Sequence, residues 1–139
     1  MHWANHYITA PYVDGGRDLH GLDCWGLVRH VLHHRYDVPL LSSWGHVRAD
    51  DKPALTHAYL QEKAAFLIYP TPTDGAVIGG FRGKLLIHVG IVIVVDGEHV
   101  VLETRKKTGV RIIALTDFAR QFSHTRYYFY DRHVAGIPR

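Results

Sequence analysis

Residues 87–95 read I-H-V-G-I-V-I-V-V, and this run constrains the fold more than any other part of the chain. Branching at Cβ crowds a helix but suits the pleated backbone of a strand. From Val89 to Val95 no polar residue marks a solvent face, so the strand is expected to be central and covered on both sides. It is also strand length, far short of the ~18 apolar residues that a membrane-crossing helix needs. Asp96-Gly97 follows at once as a hairpin turn signal, and His99–Thr104 supplies the returning strand.

The flanking sequence indicates what covers that strand. From Cys24, apolar residues recur at Leu27, Val28, Val31 and Leu32, which predicts a helix to about Tyr36. Asp23 is placed to cap its start, and Val38-Pro39-Leu40 to end it. Asp51 with Pro53 marks a second helix start, running to about Phe66 with Leu55, Tyr59 and Leu60 facing inward. Residues 2–8 suit a short helix, 11–18 a loop, and 41–50 an irregular segment. After Pro70-Thr71-Pro72 the character changes. Ala76–Ile78, Gly109–Ala114 and Arg126–Tyr130 read as further strands, and Thr116-Asp117 as the cap of a short helix through Phe122. Helices first and a meandering antiparallel sheet afterwards predict an α+β fold, in which N-terminal helices pack on a central antiparallel sheet. With 139 residues and no linker or repeat, a single domain over 1–139 is expected.

Composition narrows the chemistry. Cys24 is the only cysteine, so an internal disulfide is impossible and the thiol must be explained as packing or as a nucleophile. It falls in G-L-D-C-W-G-L-V at the predicted first turn of a helix, where free N–H groups and the helix dipole favour a thiolate. A nucleophilic cysteine needs a base. Twelve histidines make a candidate easy to find, but His88 stands out as a polar ring at the head of the most apolar strand. The net charge of +3 is spread thinly and gives no dense basic face for nucleic acid. His30 and His34 share one helix face, but no glutamate lies between them in the H-E-x-x-H pattern and no cysteine pair is present, so a metal is not expected there, and Cys/His chemistry would need no cofactor.

Five segments taken together are P-Y-V-D-G-G, G-L-D-C-W-G-L-V, D-G-A-V-I, H-V-G-I-V-I and T-G-V-R-I. They span about residues 11 to 113 in an order that resembles the NlpC-type cell-wall cysteine peptidases. The resemblance implies a papain-like α+β domain that hydrolyses peptide bonds in peptidoglycan stem peptides. The D-C-W-G form is similar to the phage tail-associated branch, which implies phage tail proteins as partners and action at the cell wall. By position it implies Cys24 as nucleophile and His88 as base. Tyr12 matches a tyrosine near the thiol, Asp23 an acidic residue that holds a stem-peptide amine, and Trp25 a subsite position often occupied by serine. The third polar residue falls on Glu103 in V-L-E-T, with His99 as the alternative.

No secretory signal is visible at the N-terminus, so synthesis in the cytoplasm without a leader and later placement in a virion tail fit this reading. Membrane insertion is not expected. Two rivals remain at this level: a tail assembly component that keeps the fold with weak or no hydrolysis, and a Cys/His amidase or acyltransferase on another substrate.

Overall fold

The computed structural model describes residues 2–136. It is an α+β fold built on a six-stranded sheet in which every pairing is antiparallel. The elements are α1 (Asn5–Ile8), β1 (Arg17–Asp18), β2 (Gly21–Leu22), α2 (Cys24–Arg35), α3 (Lys52–Glu62), β3 (Phe66–Tyr69), β4 (Val77–Arg82), β5 (Leu85–Val95), β6 (Glu98–Arg105), β7 (Gly109–Ala114), α4 (Leu115–Ala119) and β8 (His124–Tyr130). The sheet order is β3-β8-β4-β5-β6-β7, with β1 and β2 forming a separate small ribbon. The four strands β4 to β7 form the expected meander. The chain then crosses to the other side of β4, where β8 pairs with both β4 and β3.

Strand β5 lies inside the sheet, and its side chains divide between two cores. Val89, Ile91 and Ile93 join the larger cluster with Cys24, Leu27, Val28, Val31 and Leu32 of α2. Val92 joins Ile78, Val101 and Phe118 in a smaller cluster on the face that α4 covers. Successive residues of a strand point to opposite faces. The assignment of Val77 to the first cluster and Ile78 to the second follows the same alternation. One irregularity interrupts it. Phe81 pairs with Leu86 but Gly80 pairs with His88, so Ile87 is an extra residue in β5. This bulge lets Leu86 and Val89, three apart, both face α2 and α3.

The helices keep their predicted places with adjusted ends. Asp23 caps α2 by accepting from the Gly26 amide at 2.8 Å. Asp51 caps α3 through the Ala54 amide. Helix α3 stops at Glu62, short of the expected Phe66, and a 3₁₀ turn leads into β3. Phe66–Tyr69 is claimed by pairing with β8, a long-range gain that local helix preference cannot match. Leu60 consequently turns outward and is 49% exposed, whereas Leu55 is buried as expected. Helix α4 begins at Leu115 without a side-chain cap from Thr116 or Asp117. Strands β4 and β8 are longer than their apolar stretches suggested, and the expected loop over 11–18 contributes β1.

Close backbone approach seats α2. A Cβ on Gly26 would lie 2.0 Å from the Gly16 carbonyl oxygen, so the first turn of the helix docks where only glycine fits. Gly26→Ala is expected to destabilise the fold by roughly 2–3 kcal/mol, because backbone must move to relieve the overlap. Chemical denaturation of the purified variant measures this; a change within experimental error would show that the approach is looser than described.

Candidate active site

The residues singled out from the sequence gather around the middle of β5, but on both sides of it. Cys24 opens α2, is 2% exposed, and packs in the larger core beside Val89. Its expected lowered pKa is not what the structure gives. Burial pushes the thiol up to about 11, and the neighbouring Asp23 carboxylate adds to the rise. The Val89 amide, the Lys52 ammonium and the Trp25 amide act the other way and are outweighed. A thiol of that pKa leaves only about one molecule in ten thousand as thiolate at neutral pH.

His88 occupies the opposite face. It pairs with Gly80, and its ring stacks on Phe118 and Phe122 with centroids 5.7 and 6.3 Å away. It lies inside β5, three residues after the strand begins at Leu85, so it does not open the strand as the apolar run suggested. No hydrogen bond joins Cys24 to His88 among the described residues. Glu103, which is completely buried, does meet His88: Nε2 and Oε1 are 3.0 Å apart. The alternative third residue, His99, is exposed beside the β5–β6 turn, opposite Val94.

Glu103 is held by more than histidine. The register places Arg111 directly across from it, and Arg111 Nε donates to Oε2 at 2.7 Å. Arg105 approaches both carboxylate oxygens at 3.3 and 3.4 Å. Burial alone would raise the Glu103 pKa, but the His88 bond and the two guanidinium groups overcome it and bring the carboxyl down to about 2. His88 moves downward as well, because burial of its cation outweighs the help from Glu103. A carboxylate partner therefore does not make this ring a strong base at high pH, as the sequence pairing alone would suggest.

The remaining candidates surround the thiol. Asp23 is almost fully buried and its carboxylate is committed. It accepts from Gly26, from the Gly15 amide at 2.9 Å and from Arg17 Nη1 at 2.6 Å. Tyr12 bridges to Leu22 and donates its hydroxyl to Asp14 at 3.1 Å. Burial, the nearby Cys24 and Asp14 push that phenol well above its usual range. Trp25 is half-buried against the core, donates to the Ser42 carbonyl at 3.0 Å, and lines a cleft with Cys24.

Lys52 was not legible as a site residue. It stands at the first position of α3, where the helix dipole disfavours a cation. Its ammonium donates to the Ile87 carbonyl at 2.8 Å and to the Ala49 carbonyl, so it ties α3 to the bulge of β5. Its charge against the helix dipole was the available sequence signal. Arg111 could have been found by folding Glu103 and Arg111 symmetrically about the Arg105–Gly109 turn. The His30 and His34 rings lie close, with centroids 4.2 Å apart and planes tilted by 32°, and His30 bonds the Tyr7 hydroxyl at 2.8 Å. Among the described residues no group of three or more histidine, cysteine or acidic side chains is placed to hold a metal ion. No helix among the described residues is long and apolar enough to cross a membrane.

The chain matches no protein-family model, no curated protein and no solved structure. Its functional reading therefore rests on its own residues.

The buried charges fix the sign of the pH dependence. Glu103 has a folded pKa below its ordinary 4.5, so its contribution is complete above about 4.5 and is lost as pH falls toward about 2. His88 has a folded pKa below its ordinary 6.5, so folding favours the neutral ring and acid charging of the unfolded chain opposes folding below about that pH. Both act in one direction, and stability is expected to fall on acidification from about pH 6 downward. Glu103→Gln should cost roughly 2–3 kcal/mol at neutral pH and flatten the decline between about pH 4 and 2. Thermal unfolding across that range, with wild type and variant side by side, checks both effects. An unchanged acid slope in the variant would contradict them.

Proposed function

We propose that the chain is a cysteine hydrolase of the NlpC type with a papain-like fold, acting on peptide bonds of peptidoglycan stem peptides from a phage tail. The observation that carries this reading is the docking of the α2 N-terminus on β5. The Cys24 thiol meets the amide of Val89, the residue next to His88, and His88 in turn is bonded to Glu103. Cysteine at a helix start, histidine on a central strand and a polar residue on the next strand are the parts such chemistry uses.

In the proposed reaction Cys24 transfers its proton to His88 and the thiolate attacks the stem-peptide carbonyl. In this reaction the Cys24 amide at the helix start donates to the oxyanion. His88 then protonates the leaving amine as the C–N bond breaks, leaving an S-acyl enzyme. Water, deprotonated by His88, adds to the thioester, and the acid product leaves as the thiol is restored. This sequence requires the His88 ring on the face that Cys24 occupies. Moving the extra residue of β5 from Ile87 to beyond His88 would reverse the direction of that one side chain, since a shift of one residue changes face. Tyr12, Asp23 and Trp25 are the proposed substrate-contacting residues. Asp23 would have to exchange Arg17 for a substrate amine.

A second reading is favoured by a specific observation. With the thiol raised to about 11 and His88 held by Glu103 on the other face, the arrangement as it stands does not couple nucleophile and base. A tail assembly component that keeps the fold without hydrolysis accounts for that separation directly.

Digestion of purified peptidoglycan, followed by mass spectrometry of the released muropeptides, decides between them. The hydrolase reading expects new stem-peptide fragments with wild type and none with Cys24→Ser. Fragments formed equally by Cys24→Ser would remove Cys24 as nucleophile. An inert wild type that still sediments with peptidoglycan or tail proteins would establish the assembly reading.

A further inference from the structure

The cleft that Cys24 helps to line is strongly apolar. It runs along one face of α3, where Leu55, Ala58, Tyr59, Glu62 and Lys63 follow the helical repeat. Across from that face stand Val77, Leu86 and Val89 of the sheet. From Leu55 to Lys63 the lining positions span about 12 Å along the helix.

Its polar groups are already engaged with one another. Arg17 holds Asp23 at 2.6 Å, and the Tyr59 and Tyr128 hydroxyls share a hydrogen bond of 2.8 Å. Trp44 reaches from the 41–50 segment to donate to Glu62 at 2.8 Å, closing the segment over α3. Trp44 does so from a left-handed backbone conformation, with φ of 51°, which costs a non-glycine residue of order 1 kcal/mol. Lys63 is different. Its ammonium lies over the Tyr59 ring at 5.7 Å and makes no ion pair among the described residues. The rest of the lining is mostly aliphatic and aromatic carbon, which an alkyl chain can cover without bringing polar groups of its own.

We propose that this cleft binds a linear aliphatic carboxylate, with its chain along α3 and its anionic end at Lys63. The cleft shares Asp23, Cys24 and Trp25 with the proposed hydrolytic centre, and binding there does not depend on hydrolysis taking place. Chain length and the single anionic end set its selectivity. The far end of the chain approaches Cys24, so occupancy shields the thiol.

Isothermal titration of the full chain with octanoate, decanoate, dodecanoate and decanol tests the proposal. Saturable binding that strengthens with chain length is expected, with decanol weaker than decanoate by roughly fivefold because it lacks the charge. Lys63→Ala should remove that preference without abolishing decanol binding. Ala58→Phe, which fills the middle of the stripe, should weaken every ligand by at least about tenfold. A measurement on wild type guards against misfolding of that variant: saturating decanoate should slow iodoacetamide modification of Cys24. Absence of saturable binding, or binding that leaves the alkylation rate unchanged, would overturn the proposal. Release of peptidoglycan fragments is a separate readout, so either claim can fail alone.

Discussion

Burial of β5 on both faces is the constraint from which the rest of the structure follows. A strand with no solvent face must be covered twice, and the chain does this with α1, α2 and α3 on one side and α4 on the other. The extra residue at Ile87 then decides which side chains each layer meets. It gives Leu86 and Val89 to the α2 and α3 side, and it sends His88 to Phe118, Phe122 and Glu103. Lys52 bonds the carbonyl of that same residue, and Thr56 Oγ1 accepts from the Leu86 amide at 2.9 Å. Helix α3 thereby holds the irregularity in place.

The electrostatics of the two faces are correspondingly unlike. On the α4 side, Glu103 is buried but surrounded by donors, and its charge persists to about pH 2 because the partners outweigh desolvation. On the α2 side, Cys24 has two amides and one ammonium against burial and a neighbouring carboxylate, and burial wins. Forming a thiolate there at neutral pH costs roughly 5 kcal/mol, about the amount that a close imidazolium partner would need to return. The position of His88 is therefore the variable that separates a working nucleophile from a packed thiol.

Much of the fold was legible because its signals are local. The β-branched run, the Asp23 and Asp51 caps and the Asp96-Gly97 turn each name an element from a few adjacent residues. Glu103 was also legible as the partner of His88, through its place on the returning strand. What escaped the sequence depends on long-range pairing. Phe66–Tyr69 reads as the end of a helix until β8 arrives to pair with it. The face of His88 turns on a single inserted residue, and alternation counted along I-H-V-G-I gives no sign of where a bulge falls. The raised thiol was missed for a related reason: a helix N-terminus is visible in sequence, whereas the depth at which it is buried is not.

The sheet separates Cys24 from His88. Proton–proton nuclear Overhauser contacts from the His88 ring, measured in the free protein, test it directly. The account predicts contacts to the Phe118 and Phe122 rings and none to the Cys24 β-protons. Strong contacts from the His88 ring to Cys24 would contradict it and place base and nucleophile on one face.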